Sequence, residues 1–112
     1  MARTEINRLR DMLDAARKAV GYVSGLEFEG FVADIKTVDA VVRRLEVVGE
    51  AAKSVEAEFR VRYPQVPWSV IGRTRDRLIH HYFAVDESVV WQITTADLPT
   101  LIQQLESILD AE

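Results

Sequence analysis

Apolar residues recur at alternating steps of three and four along nearly the whole chain, the period of an α-helix that turns one face to a core. Ile6, Leu9, Leu13, Ala16, Val20 and Val23 come after Thr4, a residue type that caps helix N-termini, and predict a first helix from residue 4 to about Gly25. Phe28, Gly30 and Phe31 then occupy a short connector with room for a single helical turn, which drops two aromatic rings onto the core. From Asp34 the spacing resumes at Val38, Val41, Leu45, Val48, Ala52, Val55 and Phe59. Unbroken, this second helix would be about 38 Å long at ~1.5 Å per residue.

That helix carries more apolar surface than one interface needs. Ile35, Val42 and Val47 lie beside the main stripe. Gly49 sits mid-helix, where glycine costs ~1 kcal/mol against alanine unless another backbone must come close. Two readings stay open: burial on two sides within a bundle, or a seam between two copies of the chain. Tyr63-Pro64-Gln65-Val66-Pro67 breaks the pattern, since prolines so close together cannot continue a helix. Residues 68–82 read as a third helix, Asp86 caps a further turn through Val90 and Ile93, and Leu98, Leu101, Leu105, Ile108 and Leu109 make the face of the last helix. Pro99 fits there if it lies in the first turn. With no alternating strand pattern, the expected architecture is all-α: one domain over residues 1–112, an antiparallel bundle of four to five helices.

A chain of 112 residues, 48% of them apolar, suits one hydrophobic core. It has no cysteine, which removes disulfides and thiolate metal sites. Residues 1–10 are charged rather than apolar and no run is long enough to span a bilayer, so a cytoplasmic protein without a membrane partner is expected. The formal net charge is −4, yet between positions 60 and 81 five arginines (Arg60, Arg62, Arg73, Arg75, Arg77) face one carboxylate, Asp76. That stretch also holds His80 and His81, the two histidines of the chain. One basic stripe on an acidic protein suits a phosphate bound at one place rather than a coat of nucleic acid.

On an ideal helix Arg75 and Tyr82 share a face with Ile71, Leu78 and Ile79, which predicts both to be partly buried. His80 falls on the opposite face with Arg73, Asp76 and Arg77. The step from Arg75 to His80 turns through roughly 140°, so one straight helix does not aim both at one point. Either the helix loosens before Tyr82, or the site forms where two copies meet. Structural roles compete: an arginine on an apolar face commonly snorkels or pairs with a carboxylate such as Glu46 or Glu50, and a tyrosine there is commonly core. Adjacent histidines near a helix end can simply partner the dipole. Two adjacent histidines cannot both ligate one metal from a helix, no H-x-x-x-H or E-x-x-H pair exists, and no nucleophile elbow or glycine-rich phosphate loop occurs, so neither metal nor cofactor is expected.

Arg75, four residues, His80, one residue and Tyr82 resemble the R-x4-H-x-Y signature of HepT-type toxins in the HEPN superfamily. The flanks agree: Leu45-Glu46-Val47-Val48-Gly49-Glu50-Ala51 is similar to that family's L-E-x-x-G-E-A segment, and Tyr63-Pro64-Gln65-Val66-Pro67-Trp68 and Phe83-Ala84-Val85-Asp86 are similar as well. Thr74 departs, where the family often has a larger apolar residue. The resemblance implies a homodimeric, metal-independent endoribonuclease acting on RNA, the toxin of a type VII pair whose antitoxin is an MNT-type nucleotidyltransferase. His80 would then be the general acid and base, since histidine alone titrates near neutral pH unperturbed. Arg75 would bind the pentavalent phosphate through paired hydrogen bonds. Asp76 would orient His80, Arg77 and Arg73 would hold flanking phosphates, and His81 would be a second acid or base or a bystander. Tyr82 would accept adenylyl groups from the antitoxin, setting bulk and negative charge beside the cleavage site. Two other classes compete: a non-catalytic HEPN module that binds a nucleotide or scaffolds a nucleotidyltransferase, and a plain helical interaction domain.

Overall fold

The computed structural model describes residues 3–78 and 84–112. Three long rods build the core: α1 (Arg3–Val23), α3 (Ile35–Ser54), and a composite of α7 (Glu87–Gln92), a π turn (Ile93–Asp97) and α8 (Leu98–Ala111). Shorter helices bridge them: α2 (Phe28–Ala33), α4 (Ala57–Arg62), α5 (Trp68–Gly72) and α6 (Thr74–Leu78). The result is a helical bundle, as the periodicity requires. Each rod buries the stripe read from the sequence, with Leu9 and Ala16 from α1, Val41, Leu45, Val48 and Ala52 from α3, and Leu101, Leu105 and Ile108 from α8 almost fully covered. No helix among the described residues is long and apolar enough to cross a membrane.

Local chemistry sets the boundaries. Thr4 does not cap α1, because the helix already includes Arg3. The helix stops where Gly25 takes φ +80°, a conformation that favours glycine, and Leu26 N–H bonds the Val23 carbonyl at 2.9 Å. The connector is indeed a short helix, and it packs Phe31 and Phe28 against Trp91, with ring centroids 5.2 and 6.0 Å apart. Asp34 caps α3, accepting hydrogen bonds from the Thr37 hydroxyl (2.7 Å) and amide (3.2 Å). These bonds hold its carboxyl below the ordinary value, the hydroxyl contributing most.

The second helix is shorter than expected. Its stripe runs on to Phe59, but α3 ends at Ser54 and Val55 is extended, with ψ 133°. At ~1.5 Å per residue α3 is about 30 Å long. Charged side chains make this elbow. Arg60 reaches back from α4 and donates to the carbonyls of Val55 (2.9 Å), Ala52 (3.2 Å) and Lys53 (2.7 Å) where the helix stops; the Ala52 carbonyl also accepts from the Val55 amide at 3.3 Å. From α1, Glu5, only 3% exposed, accepts from the Glu56 amide at 3.2 Å and pairs with Arg8 at 2.7 Å, and Arg8 donates to the Ser54 carbonyl.

Gly49 meets the requirement that its position set. A Cβ there would stand 3.2 Å from the Ile71 carbonyl oxygen and 3.3 Å from Thr74 Cβ, so α5 and α6 cross α3 at nearly backbone contact. Val42 and Val47 pack against the core, so the bundle absorbs much of α3's surplus apolar surface, while Ile35 stays 72% exposed. After the proline break Trp68 donates to the Tyr63 carbonyl at 2.9 Å and packs on Phe59, and Gln104 ties α8 to the Gln65 carbonyl at 2.9 Å.

The third rod is continuous. Asp86 caps α7, accepting from the amides of Ser88 (3.1 Å) and Val89 (3.2 Å). Pro99 in the first turn of α8 has no N–H to offer the preceding turn, and its ring would crowd the carbonyl four residues back. A wider turn absorbs that conflict: Leu98 N–H bonds the Ile93 carbonyl five residues back. The hydroxyls of Thr94 and Thr95 donate to the carbonyls of Val90 and Trp91, each at 2.8 Å.

Candidate functional site

The expected third helix is interrupted. Arg73, with φ −97° and ψ 16°, separates α5 from α6, and the buried Thr74 hydroxyl donates to the Ile71 carbonyl at the break. Thr74 is 4% exposed and sits against Gly49, so a small side chain with its own hydrogen bond fills the place where α3 approaches. The interruption shifts the helical phase of α6 relative to α5. Thr74 and Leu78 turn to the core, and Arg75, expected to be partly buried, is exposed.

Arg75 lines a cleft of about 210 Å³ against α3, together with Arg43, Glu46, Gly49, Glu50 and Gly72. The guanidinium pairs with neither Glu46 nor Glu50, and among the described residues it has no ion-pair or hydrogen-bond partner. Glu50 faces Lys53 instead, at 3.7 Å. A free guanidinium in a cleft can meet a phosphate through two parallel hydrogen bonds without first giving up another partner.

The basic stripe does not survive folding as one patch. Arg60 is spent on the end of α3, Arg62 pairs with Glu112 at 3.6 Å, and Arg73 donates to the Ser69 hydroxyl at 2.9 Å. Arg77, half-buried, pairs with Asp97 of the π turn at 3.6 Å and joins the wall of a separate, mostly apolar cleft of about 350 Å³ between α3, α5 and α8. Asp76 is exposed. Of the five arginines, Arg75 is the one uncommitted among the described residues. The structure adds Arg43, which charge counting along the chain did not single out because Glu46 and Glu50 stand close to it in sequence.

His80, His81 and Tyr82, with Ile79 and Phe83, lie outside the described residues, and so does the expected continuation of the motif helix to Tyr82. The described residues on either side are joined, because the Asp86 amide donates to the Leu78 carbonyl at 2.7 Å.

A bundle of this construction, with a free arginine at the start of an R-x4-H-x-Y run, can be placed among known proteins, because residues 12–108 match the ribonuclease HepT-like family. The chain belongs to that family. It is 40% identical over 101 residues, 90% of this chain and 84% of the other, to a Methanocaldococcus jannaschii protein named provisionally as an RNase. It is 37% identical over 108 residues, 96% of this chain and 98% of the other, to the probable ribonuclease HepT of Thermococcus cleftensis. A Caldanaerobacter subterraneus protein, also named provisionally as an RNase, is 38% identical over 104 residues, 93% of each chain. No solved structure matches. In this HepT-like chain the Leu45 to Ala51 segment is thus the α3 surface that receives Arg75 and Thr74, with Gly49 as the point of contact.

Proposed function

We propose that this HepT-like chain is a metal-independent endoribonuclease, the toxin of a type VII toxin-antitoxin pair, and that it acts as a homodimer in the cytoplasm. The observation that supports it most is the exposed, uncommitted Arg75 in a cleft beside α3. The other four arginines of that stretch are held by a carboxylate, a hydroxyl or a carbonyl, so a free one at the first motif position is available for a ligand.

In this reading His80 takes the proton of a 2′-hydroxyl, the oxygen attacks the adjacent phosphorus, and the 5′-oxygen leaves with a proton, giving a cyclic phosphate and a free 5′-hydroxyl. Arg75 stabilises the charge that grows on the phosphoryl oxygens. Asp76, four residues before His80, holds the imidazole, and Arg77 adds field from its place beside Asp97. A second copy of the chain brings the two motif residues to a common point. Tyr82 accepts AMP from an MNT-type nucleotidyltransferase, and the added phosphate repels the RNA backbone.

The test is RNA cleavage by the purified protein in excess EDTA. Wild type should cut, His80→Ala should not, and treatment with the antitoxin, ATP and magnesium should add AMP to Tyr82 and stop the cutting. Cleavage that EDTA abolishes and magnesium restores would overturn the metal-free chemistry. Intact RNA in every condition, with a stable antitoxin complex, would favour the non-catalytic scaffold.

A further inference from the structure

Arg43 is the second cation of the Arg75 cleft. Most of the described basic side chains are already engaged: Arg8, Arg17, Lys18, Lys53, Arg62 and Arg77 pair with carboxylates, and Arg60 and Arg73 donate to a carbonyl set and a hydroxyl. Four arginines, Arg10, Arg43, Arg44 and Arg75, make no hydrogen bond or ion pair with any described residue. Two of those four share one cleft although they lie 32 positions apart in the chain, on α3 and α6. Arg43 is exposed, and it also lines the neighbouring α1–α3 trough of about 560 Å³, as does Arg44.

We propose that Arg43 binds the RNA phosphate next to the one held by Arg75 and so directs the strand across α3 into the α1–α3 trough. This rests on the ribonuclease reading above and names a substrate-binding residue for it. Long guanidinium side chains left unpaired at a protein surface are stabilised by phosphates, which accept two parallel hydrogen bonds from each. Glu46 and Glu50 share the cleft, and Glu46, which has no ion-pair partner among the described residues, would repel a bare inorganic anion. It can accept hydrogen bonds from a sugar hydroxyl or a base amino group, which makes the cleft fit a nucleotide unit better than free phosphate.

The experiment measures fluorescence anisotropy of a short, mixed-sequence, single-stranded RNA against the full chain carrying His80→Ala, across a salt titration. Losing one phosphate contact to a single strand should reduce the slope of log affinity against log salt by about 0.7, equivalent to roughly fourfold weaker binding near 0.15 M salt. Arg43→Gln in that background should show this loss. Arg10→Gln, on an unpaired arginine that lines neither cleft, should match its parent. In otherwise wild-type protein Arg43→Gln should raise KM for RNA and leave kcat nearly unchanged. An Arg43→Gln slope and KM equal to those of Arg10→Gln would overturn the role of Arg43 while leaving the ribonuclease reading intact. If the parent neither binds RNA nor, as wild type, cuts it, the ribonuclease reading itself fails.

Discussion

Two elbows interrupt helices that the hydrophobic pattern would run straight through, one after Ser54 and one at Arg73, and they are built differently. The first is stitched by ions. Arg60 covers three carbonyls at the end of α3, and the buried Glu5 with Arg8 secures residues 54 and 56 from α1. The second is made by small neutral groups, the Thr74 hydroxyl on Ile71 and the bare Gly49 beneath it. Where charge makes the elbow it is consumed there. Where a threonine and a glycine make it, the nearby guanidinium of Arg75 keeps no partner among the described residues, so the second elbow leaves a cation available to a ligand.

Substitutions can break that contrast. The largest structural effect should come from Gly49→Val, whose branched side chain has no room against the Ile71 carbonyl. We expect about 3 kcal/mol of destabilisation from urea melts, with loss of RNA cleavage as α6 is pushed off α3. Arg60→Ala removes the guanidinium donor from the carbonyls of Val55 and Lys53, and one of the two donors of Ala52, and should cost about 2 kcal/mol, with activity per folded molecule retained. Arg75→Ala should do the reverse: a melting temperature close to wild type, since the side chain is exposed, and cleavage reduced about 10²- to 10³-fold. If Arg60→Ala proved inactive and stable, or Arg75→Ala unstable, the division between structural and functional arginines would collapse. The smallest effect should be Asp86→Ala, which removes the cap of α7 and should cost about 1 kcal/mol in the same melts.

The rods were legible because a buried face leaves a periodic trace, and Gly49 was legible because a mid-helix glycine demands a reason. The breaks were not, since the groups that make them are distant in sequence or common in kind. Nothing about Arg60 marks it as a cap until Ala52, Lys53 and Val55 are seen to present their carbonyls to it. Thr74 looked like a departure from family packing and is a buried hydrogen-bonded plug. The phase error at Arg75 has the same origin, because a helical wheel drawn across an unseen break rotates every residue after it. At the candidate site, Arg75 was singled out by the motif, and the structure places it in a cleft. Arg43 was hidden by nearby glutamates that fold into the same cleft, and a linear charge count cannot tell a neutralised arginine from one merely near a carboxylate.

The two tryptophans occupy separate aromatic nests, Trp68 with Phe59 beside the proline loop and Trp91 with Phe28 and Phe31 beside α2. Their indoles are built-in optical labels for different neighbourhoods: one rides on α5, immediately before the Arg73 elbow, and the other on α7, which follows the Asp86 cap. Emission from single-tryptophan variants would therefore track the approach to the motif and the departure from it as two separate signals, with no dye attached.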